Sequence, residues 1–217
     1  MLSLASCAER SRNDDPVDSV GSSVSAASSS ALPALADAYV RGGSAYAATN
    51  FGATPDLQTK TLQSDAQWTR RSYLKFDIGG ISGAITSAKL RLFGSIATAE
   101  QVTVQVFGVS DTSWTEAAIT WNNSPVAGAS ALASAVVGST TPQWYEWDVT
   151  AYIQSQNSAG HTSISLLVKN PNDTTNYCAF NSRQAASNAP QLLVSAGTGT
   201  NAPPTVATSA AASPNPV

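Results

Sequence analysis

The stretch RRSYLKFDI, residues 70 to 78, places Arg71, Tyr73, Lys75 and Asp77 on one parity and Ser72, Leu74, Phe76 and Ile78 on the other. Guanidinium and ammonium groups pair with carboxylates, arginine through a two-pronged fit, and a flanking tyrosine adds an aromatic surface and a hydroxyl. Lys89 and Arg91 follow with the same phase in TSAKLRLF. From Lys60 to Arg91 there are six basic residues against two acidic ones, a local net of +4, whereas residues 92 to 168 hold five acids and no base. The total of -3 thus conceals two regions of opposite sign. Lys75 and Arg91 are the expected central contacts for an anionic ligand, with Arg71, Lys89 and Tyr73 adjacent and Arg183 as a further cation. Trp68, beside Arg70 and Arg71, is the tryptophan expected to lie exposed and stack on a ligand. Arg70 breaks the alternation and is expected off that face.

Other chemistries find little support. His161 is the only histidine and stands in the turn-like SAGHTS. Glu116 and Asp148 could be imagined as a glycosidase pair, but nothing in their spacing brings them together. No glycine-rich phosphate loop and no Cys-x-x-Cys site occurs, so the chain is not expected to be an enzyme. The acidic balance and the absence of basic runs argue against nucleic acid.

Cys7 and Cys178 are the only cysteines. Cys178, in the apolar-flanked NYCAF, is expected to be a buried free thiol. Cys7 ends LASC, which looks like a bacterial lipoprotein processing site, so a lipid anchor there is an expectation.

Those residues must be carried by strands. From Ala36 onward the dominant period is two, with strands expected at 38–40, 72–78, 86–93, 101–109, 131–137, 143–149, 162–169, 176–182 and 190–195. Only TAYIQSQ, residues 150 to 156, suggests a helical turn, with Thr150 as its cap. Short strands without crossover helices predict an all-β fold, an antiparallel β-sandwich of jelly-roll type. Leu74, Phe76 and Ile78 join stripes from residues 90–92, 102–106 and 164–168 in the expected core. If the strands at 72–78, 86–93 and 101–108 share a sheet, its outer face is cationic. Trp114 and Trp121, in WTEAAITWNNSP, are expected to cover one end and anchor a long loop, and Trp147 to be core.

Composition sets the boundaries. Residues 1–35 form a Ser/Ala-rich leader or tether, residues 36–196 the folded sandwich, and residues 197–217 a linker with the possible start of an Ig-like domain. Charged residues make up 12% of the chain, against roughly 25% in an average globular protein, a surface common in secreted all-β domains.

Several ordered pieces resemble carbohydrate-binding module family 96, also known as the DNRLRE-domain family. They are ADAYVRGG with NFG at 50–52, RSYLKFDI, SAKLRLF, WTEAAITWNNSP, WDVT with Tyr152, and FNSRQA. The resemblance implies a noncatalytic β-sandwich module within a longer secreted or cell-surface protein, bacterial or archaeal, binding an anionic polysaccharide such as alginate. One departure is Gln184, where an acidic residue more often follows the arginine. Binding modules of this architecture often hold a structural calcium, for which Asp37 is the leading ligand, with a turn-capping carboxylate as the alternative. The rival expectation is a structural spacer, adhesin or self-assembling extracellular fibre subunit.

Overall fold

The computed structural model describes residues 27–197, so the leader, Cys7 and the C-terminal linker lie outside the described residues. The strands are β1 (Ala27–Arg41), β2 (Asp56–Thr59), β3 (Arg70–Asp77), β4 (Ile85–Ile96), β5 (Val102–Val109), β6 (Ala133–Val137), β7 (Gln143–Asp148), β8 (Ser163–Lys169), β9 (Cys178–Asn181) and β10 (Gln191–Gly197), with one helix, α1 (Thr150–Ser158). All pair antiparallel, and they form two packed sheets, so the fold is the expected β-sandwich.

Sheet A contains β2, β9, β4, β10 and the first half of β1, with β7 also on β4; sheet B contains the second half of β1, then β3, β8, β5 and β6. β1 changes sheets between Pro33, which pairs with β10, and Ala34, which pairs with β3; proline lacks the N–H a continuous ladder needs, and the register with β3 then shifts between Ala34 and Ala36. Its start at Ala27 corrects the expected boundary at residue 36. The serine-rich run from Ser28 to Leu32 pairs residue by residue with β10, so ladder hydrogen bonds order a segment poor in large side chains. β2, too short to show a period, was not expected. Thr150 is the first helical residue, not the cap: its hydroxyl exchanges hydrogen bonds with Ala88 of β4, and Asp148 receives the Thr150 N–H.

Between the sheets, Leu74, Phe76 and Ile78 pack with Leu90, Leu92, Val104, Val106, Leu166 and Val168. Trp147 on β7 of sheet A is fully buried and donates its Nε1–H across the core to the Val104 carbonyl of sheet B at 2.9 Å. Cys178 is a buried free thiol whose pKa burial pushes up to about 12, so it stays protonated and unreactive.

One expectation about sheet membership is overturned. β3 and β5 do share a sheet, flanking β8, but β4 lies in the other one. The core-facing sides of β3 and β4 meet, so Arg71 and Lys75 point away from one outer face of the sandwich while Lys89, Arg91 and Phe93 point away from the opposite one. Alternation reveals which side of a strand is buried but not which sheet it joins.

Candidate functional site

The register of sheet B arranges its outer face in rows. Ala38, Tyr73, Leu167 and Phe107 lie side by side, as do Ala36, Lys75, Ser165 and Val109. Val40 pairs with Arg71 and Lys169 with Gln105, and the β3–β8 register carried one step past Ser72–Val168 sets Lys169 beside Arg71. The apolar members of these rows form a second buried cluster, closed from above by Trp114 and Ile119 of the loop between β5 and β6.

That loop stops short of covering the whole face. It leaves a hollow of about 310 Å³ walled by residues 124–128 and Trp121, floored by Tyr73 and Leu167, and edged by Arg71 and Lys169. The Arg71 guanidinium lies 4.3 Å above the Trp121 ring and the Lys169 ammonium 4.4 Å from the Phe107 ring centre. Neither cation forms a salt bridge among the described residues. Burial, and then the neighbouring Arg71, lower the Lys169 pKa from the ordinary lysine value. A carboxylate entering the hollow would relieve that repulsion and could meet the arginine through two N–H groups.

Lys75 and Tyr73 lie on the expected face but serve the loop. The Lys75 ammonium donates to the Trp114 carbonyl and sits 4.7 Å from its ring, and Tyr73, 1% exposed, donates its hydroxyl to the Pro125 carbonyl at 2.9 Å. Trp114 donates Nε1–H to the buried Ser165 hydroxyl at 2.7 Å. It therefore anchors the long loop, as expected, but over the outer face of sheet B and not over one end of the sandwich.

Four of the motif pieces converge at the base of the same loop. Asn50 donates to the Glu116 and Ile119 carbonyls, and Gly52 packs so closely that a Cβ there would lie 2.1 Å from the Glu116 carbonyl oxygen. The Glu116 carboxylate accepts the Asp37 N–H at 2.9 Å and meets the Arg183 guanidinium at 3.0 Å. Asp37 accepts the Arg183 N–H through Oδ2, while its Oδ1 is buried without a partner. One free oxygen suits a cation only in part, because Arg183 already supplies positive charge and the described residues contain no cluster of three acidic, histidine or cysteine side chains. Arg183 thus helps fix the loop from its base.

On the opposite face, Lys89 and Arg91 both contact Glu146 of β7, at 3.0 and 3.5 Å, and Arg91 lies over Trp144. Lys75 and Arg91 are not neighbours, which corrects their expected pairing. Partly exposed pairs of this kind contribute about 0–1 kcal/mol. Replacing Lys89 and Arg91 together with alanine is expected to change the unfolding free energy by no more than about 1 kcal/mol and to leave polysaccharide affinity unaltered, as measured by denaturant titration and calorimetry. Trp68 is exposed, as expected, and lies outside the hollow.

Sequence reasoning missed Lys169 and the part played by Trp121. Their signal was the parity of Lys169 with Leu167, usable only once the β3–β8 register is known. A larger hollow of about 560 Å³ near α1, lined by Tyr152, Gln156, His161 and otherwise small or aliphatic residues, has no lysine or arginine in its wall and so offers no fixed positive charge.

The model for "Carbohydrate-binding module family 96" matches residues 28–196. A protein described as gellan lyase, from Bacillus sp., is 34% identical over 131 residues, which is 58% of this chain and 5% of that protein, so the chain spans about a twentieth of its relative. Among solved structures, the CBM22-1–GH10 modules of the Clostridium thermocellum N-terminal endo-1,4-β-D-xylanase 10B, complexed with xylohexaose, align over 79% of this chain and 29% of that one, at 10% identity and a TM-score of 0.32.

Proposed function

Because the chain belongs to carbohydrate-binding module family 96, we propose that this noncatalytic module holds an acidic, uronate-bearing polysaccharide of the alginate type in the hollow over sheet B. The observation that carries the reading is the pair of unneutralised cations, Arg71 and Lys169, set at an aromatic-lined edge with no salt-bridge partner among the described residues. Arg71 supplies the two-pronged donor, Lys169 a point charge, and Trp121 holds the guanidinium in place by cation–π contact. Weak attachment of this kind becomes useful when repeated along one polypeptide, since tethering raises effective concentration. The module accordingly serves within a longer protein, which its match to a small part of the gellan lyase supports, and its place there is outside the cell or on its surface, where such polymers are met.

The test is calorimetric titration of the protein with alginate, pectate, gellan, neutral β-glucan and chitin fragments at low and moderate salt. Uronate polymers are expected to bind, with affinity falling as salt rises because exposed charges are screened over about 10 Å at 0.1 M. Equal binding of neutral glucans, or affinity indifferent to salt, would contradict the reading. A calcium ion at Asp37 would be revealed separately, by a lower melting temperature in thermal unfolding after chelation.

A further inference from the structure

Around Trp68, a second group of cations lies where the segment following β2 of sheet A is bridged to the start of β3 of sheet B. Arg41 ends β1 and pairs in register with Arg70 at the start of β3, and Arg70 is bridged on its other side by Lys60. Three positive side chains therefore stand on neighbouring backbone segments. Arg41 lies 3.5 Å from the Tyr46 ring centre and 5.1 Å from that of Trp68; Arg70 lies 5.6 Å from Trp68 and 5.1 Å from Tyr177; Lys60 lies 5.8 Å from Trp68. None of the three forms a salt bridge among the described residues.

Arg70 is the decisive member. It is only 6% exposed, its Nε is buried without a hydrogen-bond partner, and the polar contact of its guanidinium is from Nη1 to the Trp68 carbonyl. A buried guanidinium with an idle donor and like charges on both sides is costly unless an anion arrives. The acids whose charge reaches these cations, Glu100 at Lys60 and Asp56 at Arg70, form no salt bridge with them: Glu100 accepts the N–H groups of Thr175 and Asn176, and Asp56 the side-chain amide of Gln58. Burial and the neighbouring arginines hold the Lys60 and Arg70 pKa values below their ordinary ones. Beside this charge, the rings of Trp68 and Tyr177 are 41% and 38% exposed. Carbohydrate recognition needs such a pairing, because a pyranose has an apolar face while its carboxylate lies at the ring edge.

We propose that this cluster is a second binding site, taking a carboxylated sugar whose carboxylate sits among Arg41, Lys60 and Arg70 and whose apolar face lies against Trp68. The site shares no residue with the hollow over sheet B, and the successive residues Arg70 and Arg71 point to opposite sides of β3. One module can therefore hold two segments of polymer at once. The ligand class rests on the carbohydrate reading above; the existence of an anion site at Arg70 does not.

The test is isothermal titration of the full chain with a tri-uronate at low salt, with melting curves confirming that each variant folds. Two equivalents per chain are expected. Trp68→Ala with Arg41→Ala should remove one, its affinity falling by at least about tenfold, and Arg71→Ala with Lys169→Ala should remove the other. Lys60→Ala, which leaves both rings in place, should weaken the same equivalent as the Trp68 variant. A single equivalent that survives in the Trp68/Arg41 variant and disappears in the Arg71/Lys169 variant would overturn this site while sustaining the hollow. The reverse result would overturn the hollow alone. Displacement of the Trp68 equivalent by inorganic sulfate at the same concentration would overturn the carboxylated-sugar assignment.

Discussion

Trp114→Ala is expected to lose about 4 kcal/mol of stability, within the range of roughly 3–5 kcal/mol for removing a buried tryptophan. The indole is 7% exposed, meets Tyr73 edge-on at 6.1 Å, and is hydrogen-bonded to Ser165, which is itself fully buried. Truncation leaves a cavity in the second apolar cluster and strips that serine of its donor. Since small domains are stable by only about 5–15 kcal/mol, the variant should sit near the edge of unfolding. Trp114→Phe, which keeps a ring but not the N–H, should lose less, about 1–2 kcal/mol. Urea denaturation followed by circular dichroism checks both. The same truncation frees the loop that walls the hollow, so uronate affinity should fall even where the fold survives. A loss below about 1.5 kcal/mol would mean that the loop rests on other contacts.

The second large effect concerns pH. Asp37 is fully buried, and burial first, then the nearby Glu116 carboxylate, raise its pKa from 3.8 to about 7, against opposing contributions from Arg183. Because the folded protein favours the protonated acid, the stabilisation is complete below about pH 4, is lost as pH rises toward 7, and changes no further above that. A shift of about three units corresponds to a penalty on the order of 4 kcal/mol at pH 8. Asp37→Asn keeps an acceptor for the Arg183 N–H and removes the charge. It should therefore be more stable than the parent at pH 8, with the difference shrinking toward pH 5. Unfolding free energies measured from pH 5 to 8 test this; an Asn variant less stable at pH 8 would show that the ionised carboxylate is needed, as it would be if it held a cation.

Much of the sandwich was legible because burial imposes a period of two. Leu74, Phe76, Leu90, Leu166 and Val168 announced their inward faces by phase alone, and Cys178 by its apolar neighbours. The pairing of strands was not legible. Lys75 and Arg91 have the right phase and charge, yet β10 and β1 stand between their strands in the sheet path, and Glu146 meets Arg91. β1 extends back to Ala27 because β10 offers it a partner, and the composition of a serine run carries no trace of that partner. Of the residues proposed to meet ligand at the two sites, Arg71 and Trp68 were recognisable from type and spacing. Lys169 and Arg70 were not: the first needs a register, and the second was excluded by the same alternation that buries it. The motif residues Asp37, Asn50, Glu116 and Arg183 turn out to fix the loop from its base, so a recognisable pattern marked the support of the hollow more than its edge.

The account stands most directly on Arg71 and Lys169. Calorimetric titration of alginate into the Arg71→Ala, Lys169→Ala double variant, at two salt concentrations and with an unchanged melting temperature as the control for folding, measures their role. Loss of two charge-assisted contacts predicts affinity at the hollow lower by at least about tenfold, with a shallower dependence on salt. Alginate binding of full strength and stoichiometry in that variant, with binding lost instead when Lys89 and Arg91 are removed, would contradict the assignment of the binding face to sheet B.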